Sequence, residues 1–405
     1  MRGAFSSQAV FSGLLSAFVG IASSFAVIVH GLRTVGASQA EAASGLMALS
    51  IAMGLCGLLL SIRTRMPISV AWSTPGAALL ATSASVEGGF PAAIGAFLVG
   101  GALIVLRGFW KPLGRWVAAI PSAIANAMLA GVVLGLCLAP VRAVAEEPLL
   151  GLVIVAVWAA VAKFKRVLAV PAAVLVALAL IAATSPVSRA PLGPLWPDPV
   201  LVVPTFSATA IIGIALPLFL VTMASQNIPG LAVLAANGYQ PKAGPLFRTT
   251  GLFSMAAAPF GAHAVNLAAI TAALCAGPEA GPDPSRRWWA GAAAGVGYVL
   301  FGLFAGAATA FISAAPPILI QAVAGLALLG VLGSSILGAV SDPEAREAAV
   351  ITFLVTASGL SFFGISGAFW GLVAGGAMLA WMRWRRPAAS PAAAAAAAPG
   401  RSAGR

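Results

Sequence analysis

The chain has 405 residues, of which 22 are Lys or Arg and 10 are Asp or Glu, a net charge of +12. Only 8% of positions are charged, against roughly 25% in soluble domains, while 60% are hydrophobic and the mean hydropathy is +1.02. This excludes a soluble enzyme, a disordered chain and a nucleic-acid binder with a charged folded surface, and it puts the bulk of the protein in lipid.

A bilayer core of roughly 30 Å takes about 20 helical residues per crossing. The first apolar run, Ala9 to Val29, is longer than a signal-peptide core and lacks an evident cleavage site, so it is read as a retained membrane helix. In chain order the predicted spans are 8–31, 41–61, 69–86, 91–109, 120–140, 148–163 and 167–185, then 206–227, 245–258, 260–276, 288–312, 317–338, 347–363 and 366–383. The fold class is therefore an all-α polytopic membrane protein with fourteen spans. Residues 188–205 form a proline-rich connector that cannot be one continuous helix. Residues 387–405, with seven alanines after Pro391, form a low-complexity tail expected to be disordered in the cytosol.

Charge placement tests this count. With a cytoplasmic N-terminus, fourteen spans put all Lys and Arg on one side except Arg33, Arg142 and Arg189, that is 19 of 22. One miscounted span would invert every later loop. The same asymmetry explains the basic composition without an acidic partner, and both termini are expected in the cytoplasm. Cys56, Cys137 and Cys275 lie far apart in apolar runs, with no metal-ligand spacing. No cofactor or metal is expected.

Seven spans per half make the halves opposite in orientation, so similarity between them marks an inverted repeat. Val19-Gly-Ile-Ala22 matches Ile212-Gly-Ile-Ala215, and near the same offset of 193 Trp72-Ser-Thr-Pro-Gly76 falls opposite Val265-Asn-Leu-Ala-Ala269. Spans 3 and 10 are short and begin with polar or small residues. Ser73 and Thr74 are capping candidates before Pro75, and Gly261, His263 and Asn266 precede an apolar helix. Both spans are read as broken half-helices whose N-termini face one point, an arrangement suited to an anion. Span 8 adds Ser225, Gln226 and Asn227 to the same wall. All ten carboxylates fall at span ends or in loops, which favours an anionic or neutral substrate over a cation.

Ala71-Trp-Ser-Thr-Pro-Gly-Ala-Ala78, Pro217 to Gly230 and Gly261 to Thr271 closely resemble the bacterial benzoate/proton symporter family, as does the loop Gly277 to Arg287. The resemblance covers the chain to about Arg386. It implies the seven-plus-seven inverted-repeat fold shared with uracil and xanthine permeases and sulfate-type anion exchangers. In that fold spans 1–4 and 8–11 form a core and spans 5–7 and 12–14 a gate. Carried onto this chain, the first repeat is 1–187 (core 1–117, gate 118–187) and the second 206–386 (core 206–313, gate 314–386). A homodimer is implied by the family alone. Nucleobase permeases of that wider fold place carboxylates on spans 8 and 10, where this chain has Gln226, Asn227 and His263. His263 is therefore the candidate for proton coupling, unless the proton travels on the substrate as neutral acid.

The expected substrate-binding set is Ser73, Thr74, Gly76, Ser225, Gln226, Asn227, Gly261, Asn266 and Phe18, the last as a ring that stacks on an aromatic substrate. The bland alternatives are caps, helix-packing amides and a neutral core histidine. His30, at the outer end of span 1, is read as interfacial. The expected activity is import of benzoate or a similar aromatic carboxylate with protons by alternating access. The alternative is an exchanger or uniporter for another small organic anion or a nucleobase-like molecule. An enzyme is not expected, because no phosphate-loop, GxSxG or HExxH motif and no intramembrane carboxylate pair is present.

Overall fold

The computed structural model describes residues 5–83, 86–110, 121–184, 196–268, 271–314, 316–360, 362–363 and 365–384. The tail after Arg386, and Arg189 in the connector, lie outside the described residues.

Helix α1, Ser7–Thr34, starts where the Ser6 hydroxyl accepts the Ala9 N–H. Helix α2, Gln39–Thr64, starts with a reciprocal capping box between Ser38 and Glu41 and stops at Arg65 in the left-handed conformation. A three-residue strand β1, Val70–Trp72, leads into the short helix α3, Thr74–Ala81. Then come α4, Gly89–Phe109; α5, Ser122–Cys137; α6, Ala139–Glu146; α7, Pro148–Phe164; and α8, Arg166–Thr184.

The second half opens with α9, Ala208–Ala236, followed by α10, Ala243–Ala257, the strand β2, Val265–Leu267, and the five-residue α11, Ala272–Ala276. It continues through α12, Trp288–Leu303; α13, Ala305–Ala314; α14, Pro317–Val340; α15, Arg346–Ala357; and α16, Gly367–Trp384. Seven of these stretches are long and apolar enough to cross a bilayer by themselves: α1, α2, α4, α5 with α6, α8, α9 and α14. The chain is a mostly helical, multi-pass membrane protein.

Three local expectations change. Span 8 was placed at 206–227, yet α9 runs to Ala236. Each of its prolines, Pro217 and Pro229, is preceded by one wider π-type turn, Ile211–Ala215 and Met223–Asn227, which absorbs the missing N–H without stopping the helix. Span 10 was expected to be a helix after Asn266. Instead Val265–Leu267 is extended and pairs with β1, leaving only α11 as helix. Span 11 divides at Phe304 into α12 and α13.

The closest packing joins α2 to α12, α4 to α10, α1 to α12 and α1 to α3; on the other side α5 packs on α14 and α15, and α15 on α16. Close approach explains several glycines. A Cβ on Gly31 would stand 2.6 Å from the Ala77 carbonyl oxygen, and one on Gly295 would stand 2.5 Å from that of Gly54. One large buried apolar cluster runs from Ala9 to Ala368, and a smaller one joins Ala123, Ile124 and Ala127 to Ala345, Ala348 and Leu379. Large apolar residues such as Leu149, Phe164, Leu337 and Trp384 stay exposed, as a lipid-facing surface requires.

Candidate functional site

β1 and β2 form an antiparallel ribbon inside the helical body, with Val70 opposite Leu267, Ala71 opposite Asn266 and Trp72 opposite Val265. The ladder continues at both ends, where Ser73 N–H donates to the Ala264 carbonyl (3.2 Å) and Ala268 N–H to that of Ser69 (2.9 Å). Backbone at this depth has no water to satisfy it, so the outer edge of β2 needs side-chain partners. Ser254 of α10 accepts the Val265 N–H at 2.9 Å and donates to the Val265 carbonyl at 3.2 Å. Asn227 of α9 accepts the Leu267 N–H at 3.0 Å.

Ser73 is fully buried and caps α3, accepting the Gly76 N–H at 3.1 Å, while Thr222 of α9 donates to it at 3.0 Å. Because Ala77 N–H goes to the Ser73 carbonyl and residue 75 is proline, the first turn of α3 has few donors left for a ligand. A Cβ on Gly76 would stand 2.5 Å from Leu218 Cδ1, so this glycine lets α3 approach α9. Thr74 is half-buried at the ribbon's end.

His263 is 1% exposed; its Nδ1 accepts the Ala264 N–H at 2.6 Å, its Nε2 has no partner, and the Phe97 ring meets it edge-on at 6.3 Å. Asn266 is fully buried, donates to the Leu267 carbonyl at 2.9 Å and leaves its Oδ1 without a partner. Gln226 is buried on α9. Ser225 is half-buried and donates at 2.6 Å to Val221 in its own helix. Gly261 turns the chain at φ +98°, and a Cβ there would stand 2.9 Å from Gly45 Cα of α2.

The ribbon thus brings together Ser73, Thr74, Gly76, Asn227, His263 and Asn266, with Gln226 next to Asn227. Phe18 is 45% exposed on α1, whereas Phe25 packs edge-on to Phe301 at 6.3 Å. His30 is half-buried near the end of α1.

Several supports were not singled out in the sequence. Thr222 and Ser254 act as described above, and Trp72 donates its indole N–H to Ser24 of α1 at 2.7 Å. Arg287, 8% exposed, donates at 2.8 Å to the carbonyls of both Ala276 and Gly281, pinning the C-terminal end of α11. Isolated hydroxyls in apolar helices are the available signal for Thr222 and Ser254. No Asp or Glu is among the buried described residues, and no group of His, Cys, Asp and Glu among the described residues is arranged to hold a metal. The site is polar, uncharged and rich in amides and hydroxyls.

The sequence matches the family model described as "Benzoate membrane transport protein" over residues 3–381. It is 42% identical over 368 residues to the inner membrane protein YdcO of Escherichia coli, covering 91% of this chain and 94% of that protein. It is 33% identical over 390 residues to the benzoate membrane transport protein of Acinetobacter baylyi, covering 95% and 96%. Among solved structures it is similar to the transmembrane domain of the cyanobacterial bicarbonate transporter BicA, with TM-score 0.57, 13% identity and coverage of 91% and 97%. It is also similar to murine Solute Carrier 26 family member A9, an anion transporter in the inward-facing state, with TM-score 0.63, 12% identity and coverage of 94% and 69%.

Proposed function

Because the chain belongs to the benzoate membrane transport protein family, whose members transport rather than catalyse, we propose that it imports benzoate or a similar aromatic carboxylate with protons across a bacterial inner membrane. The family match over residues 3–381 carries the reading. YdcO supports the inner membrane, and the two solved anion transporters support a small anion as cargo.

On this reading fourteen spans form two inverted repeats, with 1–117 and 206–313 as core and 118–187 and 314–386 as gate, and transport is movement of one against the other in a homodimer. The ribbon supports the repeat. Trp72 and Val265 are matched at the offset of 193, and they pair directly with each other. A residue paired with its own repeat-mate is what a two-fold axis through that pair produces. The substrate carboxylate is held by Ser73, Thr74, Gln226 and the free Nε2–H of His263, which offer hydrogen bonds without a competing negative charge, and the free Oδ1 of Asn266 accepts from the substrate when it carries its proton as neutral acid. Gly76 and Gly261 let the walls of the site close up against α9 and α2, Asn227 holds β2 in place, and Ser225 and Phe18 complete the set. His263 couples the proton.

The absence of any buried Asp or Glu among the described residues also favours a second reading, an exchanger or uniporter for another small organic anion or nucleobase-like molecule. Uptake of labelled benzoate into proteoliposomes under an inside-alkaline pH gradient separates the two. Accumulation abolished by a proton ionophore is expected; benzoate uptake indifferent to the gradient selects the second reading, and no protein-dependent uptake removes benzoate as substrate.

A further inference from the structure

In a regular α-helix the Gly213 carbonyl would accept the N–H of residue 217, but Pro217 has none. Gly213 lies inside the first wide turn of α9, and its carbonyl takes a donor from the far end of the chain. Ser366, at the entrance to α16, donates its hydroxyl to that oxygen at 2.8 Å and is only 8% exposed. The start of α16 does not need this hydroxyl, since the Ser366 carbonyl accepts the N–H groups of Phe369 and Trp370 at 3.1 and 3.4 Å.

Beside the bond is a cavity of about 10 Å³ lined by Ser83, Glu87, Thr209, Gly213, Ile214 and Ser366. That is the lower limit for one water and far too small for an aromatic acid. Its walls come from the end of α3, the start of α9 and the start of α16, so two belong to the proposed core and one to the proposed gate. By the distribution of Lys and Arg it faces the side opposite the basic loops.

We propose that Ser366 is a latch residue: its hydrogen bond to the Gly213 carbonyl holds the outer entrance between core and gate closed, and breaking that bond accompanies opening. This rests on the core-and-gate reading above. A buried hydrogen bond that joins α9 to α16 weights the closed state, and its loss removes that weight.

The test uses the full chain with Cys56, Cys137 and Cys275 replaced by serine and a single cysteine at Thr209, reconstituted in one orientation. The readout is the rate of labelling by a membrane-impermeant maleimide applied to the outer face. Ser366→Ala is expected to raise the rate about two- to tenfold, while Ser366→Thr, which keeps a hydroxyl, labels as the parent does.

A parent-like rate in Ser366→Ala overturns the latch, as does a rate in Ser366→Thr raised as far as in Ser366→Ala. Benzoate tests the underlying reading separately. If it alters labelling of the parent while Ser366→Ala does not, the latch fails and the transporter reading stands. If Ser366→Ala raises labelling and benzoate has no effect, the latch stands and benzoate is not the cargo.

Discussion

Asn227 of α9 and His263, just before β2, border the same ribbon in opposite conditions. Asn227 uses both ends of its amide, accepting from Leu267 N–H at 3.0 Å and donating to Met223 Sδ at 3.4 Å. Replacing it with alanine strands a buried backbone N–H, which costs about 1–3 kcal/mol. Asn227→Ala is therefore expected to lower the thermal unfolding midpoint in detergent; an unchanged midpoint would mean that the Leu267 N–H finds another acceptor. At His263, acceptance at Nδ1 assigns the neutral ring's proton to Nε2, which is buried without a partner. A buried donor with nothing to donate to suits a group that bonds only when a substrate carboxylate arrives, and a coupling proton enters at Nδ1 in exchange for the Ala264 bond. His263→Gln is expected to fold and to retain benzoate exchange while losing accumulation driven by a pH gradient. Intact gradient-driven accumulation would remove His263 from coupling. The cap at Ser73 was legible because serine, threonine and proline in succession have few other uses inside an apolar run. Thr222 and Ser254 were not, because a lone hydroxyl in a helix can also bond its own preceding turn, as Ser225 does.

At the scale of elements, glycines separate contacts from open surface. Gly295 and Gly54 meet across α2 and α12, whereas Gly330 on α14 has nothing within 4 Å of where a Cβ would stand. Gly295→Ala forces a backbone contact of 2.5 Å to relax by parting the helices. Gly330→Ala adds only helix propensity, about 0.8–1.0 kcal/mol in favour of alanine. Thermal midpoints in detergent are expected to fall for the first and to hold or rise for the second; equal falls would mean that α14 is packed against a second copy. Spacing alone could not sort these positions. Gly291 and Gly295 stand four residues apart and both lie against α2 or the segment after it, but Gly131 and Gly135 share that interval while only Gly131 is crowded, by Thr356. The breaks in spans 3 and 10 were readable from their polar entries. The strand in β2 was not, since extended structure there depends on a partner 195 residues away in the register Ala71 with Asn266.

For the molecule as a whole, the helices alone do not settle how many times the chain crosses. Seven stretches are long enough to do so unaided, and α7, Pro148–Phe164, is the shorter apolar helix beside them. Its 17 residues rise about 25 Å at 1.5 Å each, just under a bilayer core of roughly 30 Å. Charge argues that it crosses, because Lys163, Lys165 and Arg166 crowd one end while Glu146 and Glu147 stand at the other. If α7 did not cross, every later loop would change sides and the separation of basic residues would collapse. Single cysteines in a background with Cys56, Cys137 and Cys275 replaced by serine decide this, since positions 146 and 165 are both exposed at the helix ends. Glu146→Cys is expected to react with an impermeant maleimide in intact cells, and Lys165→Cys only after permeabilisation. Labelling of both from one side would leave α7 lying along the membrane, invert the second half and remove the inverted repeat on which the core and gate depend.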